Sequence, residues 1–142
     1  MDNVIVGPGT KLIIFYAISA LIKDGDEVIY PNPGYPICES LINYIGGRPV
    51  ALPLLEEREF SFNISDLKKA VTSRTKMIIL NSPQNSTGGV LNSDDLEEIA
   101  KIVISNDIWV MSGEIYSRII YDRSFNSIIS IKGMPERTVL ID

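Results

Sequence analysis

The chain has 142 residues, room for one domain or one part of a larger one. Its apolar share of 45% and charged share of 22% are ordinary for a globular protein, and a net charge of −5 leaves no basic surplus for a run of phosphates, which argues against nucleic acid as a partner. Histidine is absent, which excludes His-dependent triads, imidazole bases and His-containing zinc sites. The one cysteine, Cys38, has no partner for an internal disulfide, which fits a reducing, cytoplasmic setting.

In chain order, β-branched residues 4–6 read as a first strand, followed by Gly7-Pro8-Gly9-Thr10-Lys11 and an apolar run over residues 12–22. Eleven residues are too few for a bilayer, which needs about 20, so a membrane partner is not expected. Asp2 and the lack of Lys or Arg before Lys11 argue against a signal peptide. The run therefore reads as a buried helix. Residues 27–30 read as a strand, and 34–45 as a helix with Ile37, Leu41, Tyr44 and Ile45 on one face and Gly46-Gly47 as its stop. A strand over 50–52 precedes a short helix capped by Asn63 or Ser65, and a strand over 77–80 follows. A helix opens at Asn92 or Ser93, with Asp94 and Asp95 in its first turn and Leu96, Ile99, Ala100 and Val103 on its apolar face. Strands over 108–111 and 138–141 complete the series. Alternating strands and helices, with unbroken apolar strands, predict an α/β fold: a largely parallel sheet flanked by helices, with ligands at the carboxyl ends of the strands.

The loops after the strands carry the polar chemistry. Backbone N–H groups at 9–11, at the start of a helix, suit an anion, although the segment matches neither a Walker A loop nor Gly-x-Gly-x-x-Gly and also reads as an ordinary strand-to-helix turn. Pro31, Pro33, Gly34 and Pro36 stiffen the loop that presents Tyr35, a ring able to stack on a planar ligand or to lid the local core. Residues 81–89, Asn-Ser-Pro-Gln-Asn-Ser-Thr-Gly-Gly, offer Asn85 as donor and acceptor to an oxygen, or as an Asx-turn residue. Residues 112–118 add a further polar cluster containing Glu114 and Tyr116.

The succession Pro33-Gly34-Tyr35-Pro36, then the 81–89 loop, then Ser112-Gly113-Glu114-Ile115-Tyr116-Ser117 resembles the class I/II aminotransferases, pyridoxal-phosphate enzymes of the aspartate aminotransferase fold type. The resemblance covers essentially the whole chain. It implies pyridoxal 5'-phosphate as cofactor, with the phosphate on the backbone at Gly9, Thr10 and Lys11. Tyr35 would stack on the pyridine ring, and Asn85 and Tyr116 would bond its phenolic oxygen. It also implies amino acid and 2-oxo acid substrates and a homodimer. By the same resemblance residues 1–142 are read as a partial large domain, with the small domain and the Schiff-base lysine outside them. None of the seven lysines stands in the family's Ser-Lys motif, so no catalytic residue is expected in this chain. Two positions depart from the family pattern. Ser86 stands where proline is common, and Gly113 replaces the aspartate that pairs with the ring nitrogen; Glu114, being adjacent, is expected on the opposite face. A lyase or synthase on the same fold, or a non-catalytic binding module, remain as alternatives.

Overall fold

A computed structural model describes residues 3–121 and 123–142. The apolar run becomes helix α1 (Thr10–Leu21), which buries Ile14 and Ile18 and leaves Leu12 and Tyr16 exposed. Strand β1 (Glu27–Asn32) leads into α2 (Pro36–Tyr44), whose proline sits in the first turn, where its missing N–H is no loss. Gly46, at φ +81, turns the chain after α2 into β2 (Arg48–Pro53). Then come α3 (Ile64–Ala70), β3 (Thr75–Asn81), α4 (Ser93–Asn106), β4 (Trp109–Gly113) and β5 (Thr138–Ile141). The cap of α4 is Asn92, whose Oδ1 accepts from the Asp95 N–H at 2.8 Å. Asn63 is the N-cap residue of α3 but makes no side-chain bond to the helix backbone; its amide donates to Asp66 instead.

The five strands form one sheet in the order β2-β1-β3-β4-β5, and every neighbouring pair is parallel. Alternation along each strand divides the core. Ile29, Ile78, Leu80 and Val110 pack against α3 and α4, whereas Val28, Met77, Ile79 and Met111 pack against α1 and α2. Ile18, Ile42, Ile99 and Leu67 meet the sheet fully buried, each worth about 1.5–3 kcal/mol of apolar burial. The strand order reverses between β1 and β3, a topological switch point, and ligands of open α/β sheets bind at the carboxyl ends of strands beside such a point. Among the described residues no helix is long and apolar enough to cross a membrane.

The expected strand over residues 4–6 is not formed. Val4, Ile5 and Val6 are 70%, 88% and 93% exposed and join no strand of the sheet. β-Branched residues favour extended backbone, but a strand needs a neighbour to take its N–H and C=O groups, and none is paired with this segment. These side chains, together with the edges of β2 and β5, leave apolar surface and open backbone groups. The isolated chain is therefore expected to self-associate as its concentration rises. Light scattering that shows a monodisperse monomer over a hundredfold concentration range would count against this.

Candidate functional site

A cleft of about 130 Å³ opens at the carboxyl edge of the sheet, on the α1/α2 side. Its polar lining comes from separate segments: Thr10 from the start of α1, Tyr35 just before α2, Asn81 at the end of β3, Asn85 from the following loop and Tyr116 from the turn after β4. Ile79, Met111 and Ile141 make the floor apolar. Four residues that the sequence singles out, Thr10, Tyr35, Asn85 and Tyr116, thus share one cavity. Gly9 is the N-cap residue of α1, and the exposed Lys11 side chain lies outside the lining.

The start of α1 is electrostatically bare. Gly9 adopts φ +88, its N–H donates to the Gly7 carbonyl at 2.9 Å, no side chain caps the helix and no acidic residue lies in its first turn. The first-turn N–H groups, which no intrahelical carbonyl can reach, therefore keep their partial positive charge beside Thr10.

Gln84, which sequence reasoning passed over, fixes the two loops that carry Tyr35 and Asn85. Its buried amide donates to the Pro33 carbonyl at 2.8 Å, its own N–H donates to the Gly89 carbonyl at 2.8 Å, and its carbonyl accepts from the Gly88 N–H at 2.9 Å. Ser82 Oγ accepts from the Leu91 N–H at 3.0 Å, and the Ser82 N–H donates to the Gly113 carbonyl at 3.1 Å. The loop is thus a closed turn pinned at both ends. Gly89 is required there, because a Cβ would come within 2.7 Å of the Phe60 carbonyl oxygen.

Gly113 ends β4 on the cleft side, and Glu114 points the other way. Glu114 is buried, and its Oε1 accepts from Ser112 Oγ and Ser127 Oγ, both at 2.9 Å. Its carboxylate is therefore engaged away from the cleft, as strand alternation requires. Burial raises its pKa above the ordinary 4.5, while the serine hydroxyls and the Ile128 N–H pull the other way. A raised folded-state value contributes stability that is complete below the ordinary pKa and is lost as pH rises through the folded one. Glu114→Gln keeps an acceptor for both hydroxyls and removes the titration. Urea unfolding of the variant at mildly acidic and mildly alkaline pH should therefore show a smaller loss of stability with rising pH than the parent chain. An unchanged loss would show that Glu114 is not its source.

A larger depression of about 630 Å³ adjoins the cleft and shares Asn85 and Tyr116 with it. Its rim carries an ion pair, Arg123 Nη1 to Glu59 Oε2 at 2.8 Å. The other residue that sequence reading passed over is Asn81. Its place as the last residue of an apolar strand, at the edge where ligands bind, was the available signal.

The family model for aminotransferase class I and II matches residues 1–141. An aspartate aminotransferase of Pyrococcus abyssi is 42% identical over 99% of the chain, and an aromatic-amino-acid aminotransferase of Thermococcus litoralis is 37% identical over 99% of it. In both cases the chain spans 36% of the relative's length. Among solved structures, an aromatic aminotransferase from Pyrococcus horikoshii superimposes with a TM-score of 0.89 at 44% identity, covering 93% of this chain and 36% of that one. A Thermus thermophilus aspartate aminotransferase with maleate superimposes at 0.86 and 31% identity, covering 92% of this chain and 34% of that one. The chain belongs to the class I and II aminotransferase family.

Proposed function

We propose that these 142 residues form the pyridoxal 5'-phosphate-binding part of a large domain, in a protein that moves an amino group between an amino acid and a 2-oxo acid. The observation that carries this reading is the convergence of Thr10 with the bare start of α1, Tyr35, Asn85 and Tyr116 on one cleft. The donor set fits the cofactor group by group. A helix N-terminus with a neighbouring hydroxyl suits a phosphate, an aromatic ring suits a flat heterocycle, and an amide beside a phenol suits an anionic oxygen. When bound, pyridoxal phosphate supplies a carbonyl that condenses with amines and a ring that accepts electrons from the bond broken next to the nitrogen.

The chain's own residues would orient and tune. The first-turn N–H groups of α1 and the Thr10 hydroxyl anchor the phosphate end. Tyr35, packed against the core beside α2, limits the tilt of the ring. The Asn85 amide and the Tyr116 hydroxyl donate to the phenolic oxygen and keep it anionic. The apolar floor excludes water and strengthens each of these bonds. The exposed apolar residues Leu12 and Tyr16 on α1 support the homodimer as part of the same reading, and the free, buried Cys38 supports a reducing, cytoplasmic compartment.

Calorimetric titration tests the assignment. The chain is expected to bind pyridoxal 5'-phosphate saturably at one site and pyridoxal without its phosphate far more weakly. Equal affinities, or no saturable binding, would overturn it. Among the described residues no lysine side chain lines the cleft. Borohydride reduction of the mixture is therefore expected to give only scattered, substoichiometric lysine adducts. A single stoichiometric adduct, located by mass spectrometry, would contradict that placement.

A further inference from the structure

Asn81 and Gly113 are register partners at the ends of β3 and β4 and lie side by side at the floor of the cleft. A Cβ added to Gly113 would lie 3.6 Å from Asn81 Oδ1 and 3.8 Å from the Leu80 carbonyl oxygen, in ordinary contact with both. The absent side chain thus leaves the Asn81 amide as the polar side chain next to that space. Its other neighbours on the floor, Ile79, Met111 and Ile141, offer it nothing. Among the described residues the Asn81 amide hydrogen-bonds no other protein group. A half-buried primary amide without a protein partner, set among apolar side chains, suits one polar atom of a ligand.

The covalent structure of the cofactor says which atom that is. On the pyridine ring, the phenolic oxygen and the phosphate-bearing carbon flank the carbonyl carbon, and the ring nitrogen lies opposite it. If Asn85 and Tyr116 hold the oxygen and the start of α1 holds the phosphate, as proposed above, the nitrogen would face the floor. We propose that Asn81 is the hydrogen-bond partner of the ring nitrogen, so that in this chain a neutral amide takes the place that a carboxylate at position 113 would take. This rests on the cofactor assignment above. Oδ1 faces that space in the unliganded chain; turned so that its Nδ2 faces it instead, the neutral amide donates to the unprotonated nitrogen and gives no charge to a protonated one. The bound ring therefore stays unprotonated near neutral pH and draws electrons less strongly than a ring paired with a carboxylate.

The test uses the 142-residue chain and its Asn81→Ala and Asn81→Asp variants. Each is titrated with pyridoxal 5'-phosphate and with the 1-deaza analogue, in which C–H replaces the ring nitrogen. The parent chain is expected to bind the natural compound about fivefold more tightly than the analogue, the size of one net hydrogen bond, and Asn81→Ala should bind the two alike. With the ring nitrogen labelled with ¹⁵N, its resonance in the parent complex should mark an unprotonated nitrogen. In Asn81→Asp it should move toward the protonated position. Equal affinity of the parent chain for both compounds, discrimination that survives in Asn81→Ala, or a protonated nitrogen in the parent complex would each overturn the role of Asn81. Binding of neither compound by the parent chain would overturn the cofactor assignment itself.

Discussion

Asn85→Ala is expected to weaken pyridoxal 5'-phosphate binding by about 10- to 100-fold. In the proposed site the Asn85 amide would donate to an anionic phenolic oxygen, and a hydrogen bond to a charged partner is worth about 1.5–3 kcal/mol net. Each 1.4 kcal/mol is roughly a factor of ten in affinity. Asn85 stands in a loop that Gln84 closes on itself, so truncating it leaves the backbone around it in place. Tyr116 is 38% exposed, and water can replace part of its hydroxyl bond. Tyr116→Phe should therefore cost less, on the order of a few-fold. Both donors would serve one oxygen, and each partly compensates for loss of the other, so the double variant should lose more than the product of the single losses. Inorganic phosphate, which needs only the start of α1, should bind all three variants as it binds the parent chain. A double variant within twofold of the parent would remove Asn85 and Tyr116 from the site.

The sequence makes the sheet legible because its strands are short apolar runs and the helices after β1 and β3 carry a stop or a cap. The Gly46 turn after α2 and the Asn92 cap of α4 stand where the residue types put them. Residues 4–6 show the limit of that reading. Propensity describes one segment, whereas a strand is a relation between two. The residues that line the candidate cleft were legible where a side chain has chemistry of its own, as with Tyr35, Asn85 and Tyr116. A residue was not legible where its role comes from a neighbour. Gln84 matters because two distant loops approach each other, and Asn81 matters because β3 and β4 pair in a register that sets it beside a glycine. No local pattern encodes either relation. Glu114 is the converse case, since period-two alternation alone was enough to turn it away from the cleft.

Gly113→Asp is expected to tighten pyridoxal 5'-phosphate binding while making the unliganded chain less stable. The space accepts the side chain: a Cβ there meets nothing nearer than 3.6 Å, and the nearest atom belongs to the Asn81 amide, which can turn to donate to the new carboxylate. Without the cofactor, that carboxylate sits over Ile79, Met111 and Ile141 with one neutral partner, and partial desolvation penalises its charged form. Removing a glycine from a strand end returns roughly 0.5–1 kcal/mol of backbone entropy, too little to offset a poorly solvated charge. Its folded-state pKa is therefore raised, and the stability of the unliganded variant should fall as pH rises through that value. With the cofactor bound the sign reverses. A carboxylate beside the ring nitrogen favours its protonation, and a charge-assisted bond replaces a neutral one for a gain of about 1–2 kcal/mol, or roughly fivefold to thirtyfold in affinity. The gain needs a protonated nitrogen and an ionised carboxylate together. It should be largest at mildly acidic pH and shrink at alkaline pH, where the nitrogen loses its proton. Titrations at both pH values, with urea unfolding of the unliganded variant alongside, separate the two effects. If affinity is unchanged at every pH while the unliganded variant is destabilised as described, the ring nitrogen does not face this end of β4, and the pairing with Asn81 fails with it.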